Sequence, residues 1–198
     1  AEIIKQDTEN GKNDTNPSLF LCKVSSAKTS NTLQWNLVKS ADGYQIYGAT
    51  SNGKYKLLRT TGKKTVKWTQ KKLKNGKQYK YYVIAYKIID GKRVTLSKSL
   101  PVYSTTKGGK YGNPSKIGIK KANLSVKSGR KISLRVKVTG KKISKAGKTV
   151  RYVSSNPSVA TVSKKGVIIG KKHGSCTIYC IAQNGLYKKI KVTVNKKG

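Results

Sequence analysis

Apolar residues in this chain recur at every second position over short runs, and no segment holds a 3.6-residue period long enough to build a helix. The runs Leu19 to Val24, Thr32 to Val38, Tyr44 to Ala49, Tyr55 to Arg59, Thr65 to Thr69, Tyr79 to Ile89 and Arg93 to Val102 alternate in this way. Between them stand Asp42-Gly43, Asn52-Gly53, Thr61-Gly62, Asn75-Gly76 and Asp90-Gly91, dipeptides that tolerate the positive φ of tight hairpins. Short alternating strands joined by such turns predict an antiparallel sandwich.

The pattern breaks at Thr106-Lys-Gly-Gly-Lys-Tyr-Gly-Asn-Pro114, whose glycines and proline read as a linker. A second set of strands follows: Ile117 to Ile119, Asn123 to Val126, Ile132 to Val138, Val150 to Ser154, Val159 to Val162, Val167 to Ile169, Cys176 to Ala182, and Tyr187 to Val194. Most alternate apolar residues with lysine or threonine, as a sheet with one wet face does. Residues 1–16 are polar except for Ile3-Ile4 and read as a flexible leader. The chain lacks methionine, so the natural gene product is expected to be longer.

Charge narrows the chemistry. The chain has 198 residues and a formal net charge of +38. Four of its six acids, Glu2, Asp7, Glu9 and Asp14, lie in the first fourteen residues, leaving only Asp42 and Asp90 in the body. Paired-carboxylate catalysis and calcium or magnesium cages need clustered acids. The one histidine, His173, sits in a Gly-Lys-Lys-His-Gly turn with no companion ligands, which argues against zinc. The chain is therefore read as non-catalytic, with no cofactor and no metal.

The cations are 39 lysines against 5 arginines. Lysine is a flexible point charge, whereas arginine supplies the bidentate contacts of sequence-specific nucleic-acid recognition, so that reading is disfavoured. Nonspecific attraction to polyanions is expected from the net charge alone. No run approaches the length of a membrane span. In Ser175-Cys176-Thr177-Ile178-Tyr179-Cys180, strand alternation turns both thiols inward and holds them about 13 Å apart, too far for a disulfide. Cys22 falls at an inward position of another run, so all three cysteines are expected to act as small buried hydrophobes.

Particular residues now carry two resemblances. Trp35, Tyr44 within Ala41-Asp42-Gly43-Tyr44-Gln45-Ile46-Tyr47, and Leu73 ahead of Tyr79 make residues 17–105 resemble a fibronectin type III module. The resemblance implies that Trp35 and Tyr44 fill the core and that Leu73 and Tyr79 form the corner locking the two sheets. Residues 115–198 resemble a bacterial immunoglobulin-like domain of group 2. That likeness rests on Tyr152-Val-Ser-Ser-Asn-Pro-Ser-Val-Ala-Thr-Val162, Gly166-Val-Ile-Ile-Gly170, Gly174-Ser-Cys-Thr-Ile178 and Ile190-Lys-Val-Thr-Val194. The sequence departs from that family in having Tyr152 where tryptophan is commoner, and Cys176 and Cys180 where small apolar residues are usual; all three keep the interior apolar.

The expected fold is thus all-β, with two tandem immunoglobulin-like β-sandwich domains at 17–105 and 115–198, joined by a linker at 106–114. The resemblance implies a non-catalytic, secreted or cell-surface adhesion or display module of a bacterial protein. The alternative is a spacer or carbohydrate-binding accessory module of a larger secreted enzyme. Candidate partners are an anionic cell-wall polymer, a host glycan or a matrix protein. Two sets of residues are candidates for contact. The lysine-rich stretch Lys137, Lys141, Lys142, Lys145, Lys148 and Arg151 could grip a polyanion, although a solvated loop is the plainer reading. Tyr47, Tyr55, Tyr82 and Tyr86 fall at outward positions and could stack on sugars or touch a protein, although tyrosine also simply favours strands.

Overall fold

The computed structural model describes residues 19–196, and the leader assigned to residues 1–16 lies outside them. Two compact units are present, Leu19–Asn113 and a second beginning at Pro114.

In the first unit, β1 (Cys22–Ser26), β2 (Asn31–Trp35) and β5 (Lys67–Gln70) form a three-stranded sheet in the order β1-β2-β5. The second sheet has the order β4-β3-β6-β7, from β3 (Gly43–Thr50), β4 (Lys56–Gly62), β6 (Gln78–Ile89) and β7 (Lys92–Lys98). A further strand, β8 (Val102–Thr105), also pairs with β6. The run Arg93 to Val102, expected as one strand, is divided. Ser99 accepts the Val83 N–H through its hydroxyl at 3.0 Å, and Pro101 has no N–H to give the ladder. After this break β8 resumes along β6 at Gln78–Tyr81, so β7 and β8 are successive halves of one edge.

Alternation puts Tyr79, Tyr81, Val83 and Ala85 of β6 inside, against Cys22, Val24, Leu33 and Trp35 from the other sheet. Trp35 and Tyr44 meet at 5.5 Å between ring centroids, and the Tyr44 phenol oxygen accepts the Val38 N–H at 2.9 Å. Leu73 and Tyr79 are buried, and the Tyr79 phenol oxygen accepts the Lys74 N–H at 3.1 Å, which ties the β5–β6 connection to the sandwich end. Part of the segment after β8 folds onto this unit: Lys107 N–H donates to Ala27 O, Asn113 pairs with both main-chain groups of Thr105, and Gly109 packs on Gly76. A Cβ on Gly109 would fall 2.5 Å from the Gly76 Cα, so the approach needs both glycines bare.

In the second unit, β10 (Asn123–Lys127), β13 (Val150–Ser154), β16 (Gly174–Ala182) and β17 (Tyr187–Asn195) form a sheet in the order β10-β17-β16-β13. The β10–β17 pair is parallel. Two smaller groups complete the unit: β11 (Lys131–Ser133), β15 (Val167–Gly170) and β14 (Ala160–Val162), in that order, and β12 (Val136–Thr139) with β9 (Lys116–Ile119). The run Ile132 to Val138 is therefore two strands, pairing with β15 before Leu134 and with β9 after Arg135. Its unbroken alternation hides the change of partner. Cys176, Ile178 and Cys180 are fully buried beside Val192, Val194 and Ile168, and all three cysteines of the chain are free and buried, as alternation predicts.

Candidate contact surfaces

The two outer faces of the first unit differ in chemistry. On the three-stranded sheet the outward positions are Lys23, Ser25, Thr32, Gln34, Lys67 and Thr69, all polar. On the other sheet, Tyr47 of β3 stands directly opposite Tyr82 of β6, and Leu57 of β4 stands opposite Tyr47. The Tyr47 and Tyr82 rings stack at 5.0 Å with planes 12° apart, and Tyr55 meets Tyr82 edge-on at 4.7 Å. Three of the four sequence-selected tyrosines are thus one assembly.

Two ammonium groups complete it. Lys98 Nζ lies 4.2 Å from the Tyr82 ring centroid, and Lys80 Nζ lies 4.8 Å from that of Tyr55. Because β6 runs between β3 and β7, Tyr47 and Lys98 flank Tyr82 from opposite sides. Partial burial raises the Tyr82 phenol pKa above its ordinary value, and the neighbouring Tyr47 phenol adds to the shift. The result is a rigid half-buried aromatic patch that presents phenol oxygens, an exposed leucine and cations. Such rings offer large contact area with few rotamers to freeze.

Tyr86 does not belong to this patch. Expected on the outward face, it is only 7% exposed. Its ring covers Gly43 on the neighbouring strand: a Cβ there would sit 2.5 Å from the Tyr86 phenol oxygen, so the bare glycine provides the space. Arg93 then caps the ring at 5.2 Å.

In the second unit the basic residues are arranged unequally. Lys137, Lys142 and Lys148 line a common open groove of about 540 Å³ with Val136, Val138, Thr139, Gly140 and Ile143. Lys141 is exposed on the turn, and Lys145 is exposed just ahead of the 3-10 segment Ala146–Lys148. Arg151 is committed elsewhere: its Nη2 donates to Ala182 O at 2.8 Å and to Gln183 O at 3.4 Å, bracing the β16–β17 connection. That use of its guanidinium sets it apart from the exposed lysines.

Other features escaped the sequence reading. A second open groove, about 610 Å³, has Lys120, Lys121 and Arg135 with Leu124, Ile132, Leu134 and Ile190. It opens where the alternating run changes sheets, which no local pattern marks. The end of the β6–β7 hairpin exposes Ile88, Ile89 and Val94. Its one sequence signal is the adjacent pair Ile88-Ile89, which forces an apolar side chain onto each face of the ribbon.

Comparison with known proteins places the second unit. Residues 115–194 match the sequence profile of the bacterial Ig-like domain (group 2) family. No curated protein matches the chain. Among solved structures, a computationally redesigned β-sandwich protein is similar at 12% identity over 48% of this chain and 93% of its own, with a TM-score of 0.37. The structure described as FN3tt is 24% identical over 42% of this chain and 86% of its own, with a TM-score of 0.33. A myokine structure is 16% identical over 44% of this chain and 93% of its own, with a TM-score of 0.37. The first unit's strand order, β1-β2-β5 against β4-β3-β6-β7 with its tyrosine corner, is that of a fibronectin type III-like sandwich. Domains of these two kinds are generally non-catalytic modules. Residues 115–194, which follow a sandwich of fibronectin type III-like strand order, thus match a domain type typical of bacterial surface proteins.

Proposed function

We propose that this chain is a non-catalytic adhesion or display module, secreted or held at the cell surface, and that the Tyr47–Tyr55–Tyr82 face is its contact surface for an anionic wall polymer or glycan. The observation that carries the reading is the asymmetry of the first sandwich. One outer face is wholly polar, while the other holds a stacked tyrosine patch with Leu57, Lys80 and Lys98 around it. Phenol rings suit the apolar faces of sugars, and the ammonium groups suit carboxylate or phosphate substituents. The exposed lysines Lys137, Lys142 and Lys148 of the second unit add attraction for the same class of polymer.

The test is an array of neutral glycans, anionic wall polymers and matrix proteins, probed at low and high salt with wild type and with Tyr47→Ser and Tyr82→Ser. Specific adhesion predicts retention of particular anionic glycans, weakened by salt and by either substitution while the melting temperature changes little. Equal retention of every polyanion at low salt, insensitive to both substitutions, would reduce the function to electrostatics. Retention of nothing would leave the alternative, a spacer within a larger secreted protein.

A further inference from the structure

We propose that the β6–β7 ribbon of the first unit is a membrane-contacting tip that docks on bilayers carrying anionic headgroups. The surface lies apart from the tyrosine face: Ile88 is six residues along β6 from Tyr82, roughly 20 Å at the rise of a strand.

The ribbon leaves the sandwich in a defined way. Tyr86 is the last β6 residue paired with β3, opposite Gly43, and from Lys87 onward β6 pairs with β7 alone. The register sets Lys87 opposite Val94, Ile88 opposite Arg93, and Ile89 opposite Lys92. Asp90 and Gly91 close it with φ of 51° and 72°, the two positive values of a two-residue hairpin turn. Ile88, Ile89 and Val94 are 51%, 48% and 42% exposed. None of them belongs to the hydrophobic core of the unit. The register places Ile89 and Val94 on one face of the ribbon and Ile88 on the other, and a cation stands across from each.

The mount is stiff. The Asp42 carboxylate accepts the Ile88 N–H at 2.7 Å, and the Asp42 N–H donates to Tyr86 O at 2.8 Å, so an acid otherwise scarce in this chain braces the ribbon root. Below it, Tyr86 is buried over Gly43 and capped by Arg93. Three other turns of the unit are polar: Ser51-Asn52-Gly53-Lys54, Gly62-Lys63-Lys64 and Lys74-Asn75-Gly76-Lys77. Among the described residues of the unit, Leu37 and Leu57 are exposed singly, whereas Ile88, Ile89 and Val94 gather at one braced hairpin.

Charge selects the occupant. Lys87, Lys92 and Arg93 surround the aliphatic residues, against Asp90 in the turn and Asp42 at the root, whose carboxylate is engaged by the Ile88 N–H. The net charge of +38 draws the whole molecule toward an extended anionic surface rather than a local acidic patch. Aliphatic side chains entering the headgroup region, with lysine stems extended so that their ammonium groups stay among the phosphates, satisfy both halves of the tip. A soluble polyanion would use the cations and leave the aliphatic groups wet.

The experiment is co-sedimentation with vesicles of phosphatidylcholine alone and of phosphatidylcholine mixed with phosphatidylglycerol. It uses wild type and the triple variant Ile88→Thr, Ile89→Thr, Val94→Thr, which keeps β-branching and hence the ribbon. Wild type should sediment with the anionic vesicles only, and the triple variant should bind about tenfold more weakly or worse. Circular dichroism and the melting temperature check that the variant stays folded. As an independent readout, Ile89→Trp should blue-shift its emission on anionic vesicles. Equal binding of wild type and triple variant, or no shift from Ile89→Trp, would overturn the proposal. So would a triple variant that keeps its vesicle affinity but loses a protein partner. Because the vesicles carry no sugar polymer, failure here leaves the glycan reading of the tyrosine face untouched.

Discussion

Inside the first unit the Asn31 carboxamide donates to the Tyr81 phenol oxygen at 3.0 Å, joining residues fifty positions apart on opposite sheets. The phenol O–H donates to Gln70 Oε1 at 2.7 Å. Asn31 Oδ1 in turn accepts from the Ser26 hydroxyl at 2.8 Å and the Ser104 hydroxyl at 3.3 Å. A polar chain thus crosses the core with its members satisfied, which is the condition under which buried polar groups fix one packing. Tyr81→Phe removes the central hydroxyl and strands both amide partners. The variant should lose about 1–3 kcal/mol of unfolding free energy by urea titration. A loss indistinguishable from zero would mean that water replaces the phenol.

Much of this fold could be read from residue types at their spacing. Trp35, Tyr44 and Tyr79 fall in alternating runs, and the resemblance to a fibronectin type III module implies their core and corner roles together with that of Leu73; all four are buried. What could not be read depends on neighbours distant in sequence. Tyr86 stands at an outward position of β6, and it is buried only because β3 offers Gly43 at that register. The run Ile132 to Val138 keeps perfect alternation while changing sheets, since alternation reports a side chain's face and not its strand's partner. The tyrosine patch shows the same split: Tyr47 and Tyr82 could be placed on one face, but their direct opposition and the flanking Lys98 come from register.

Gly43 tests that register argument. A Cβ at this position would meet Thr61 O at 2.3 Å and the Tyr86 phenol oxygen at 2.5 Å, one of them main chain and unable to yield easily. Gly43→Ala should therefore displace the Tyr86 ring and cost about 1–3 kcal/mol as an overpacked site. Hydrogen exchange should accelerate at Tyr44 and at Ile88, whose amide depends on the adjacent Asp42 carboxylate. Unchanged exchange at both would show that the ring moves without disturbing the ribbon root.

In the second unit, one hydroxyl organises the Ser154-Ser155-Asn156-Pro157 corner. Ser154 Oγ donates to Ala160 O at 2.7 Å and accepts the Asn156 N–H at 3.2 Å. Ser155 Oγ then accepts the Thr177 N–H at 2.9 Å, and Asn156 Oδ1 accepts the Ser158 N–H at 3.1 Å. Ser154→Ala leaves a buried carbonyl and an amide short of a partner, and should cost about 1–3 kcal/mol. Ser154→Thr keeps the hydroxyl and should recover part of the loss, which separates the hydrogen bonds from the shape of the corner.

The buried thiols give the fold an alkaline limit. Burial pushes the Cys22 and Cys180 pKa values from 9.0 up to about 12, since neither thiolate can be solvated in the core. The folded-state value lies above the unfolded one, so the thiols' contribution to stability is complete below pH 9 and is lost as pH rises toward 12. In that window the unfolded chain releases protons that the folded chain retains, at a cost of up to about 1.4 kcal/mol per pH unit for each thiol. Lysine deprotonation acts over the same range and relieves self-repulsion, so a wild-type curve alone mixes two effects of opposite sign. Comparison with Cys22→Ala isolates the thiol, because the lysines are common to both proteins. Near pH 7 the variant should be the less stable by about 1–2 kcal/mol for its lost packing. Between pH 9 and 11 the gap should close and then reverse, as the wild type alone bears the cost of holding Cys22 protonated. A gap constant with pH would show that the thiol ionises in place, and iodoacetamide would then label Cys22 in the folded protein.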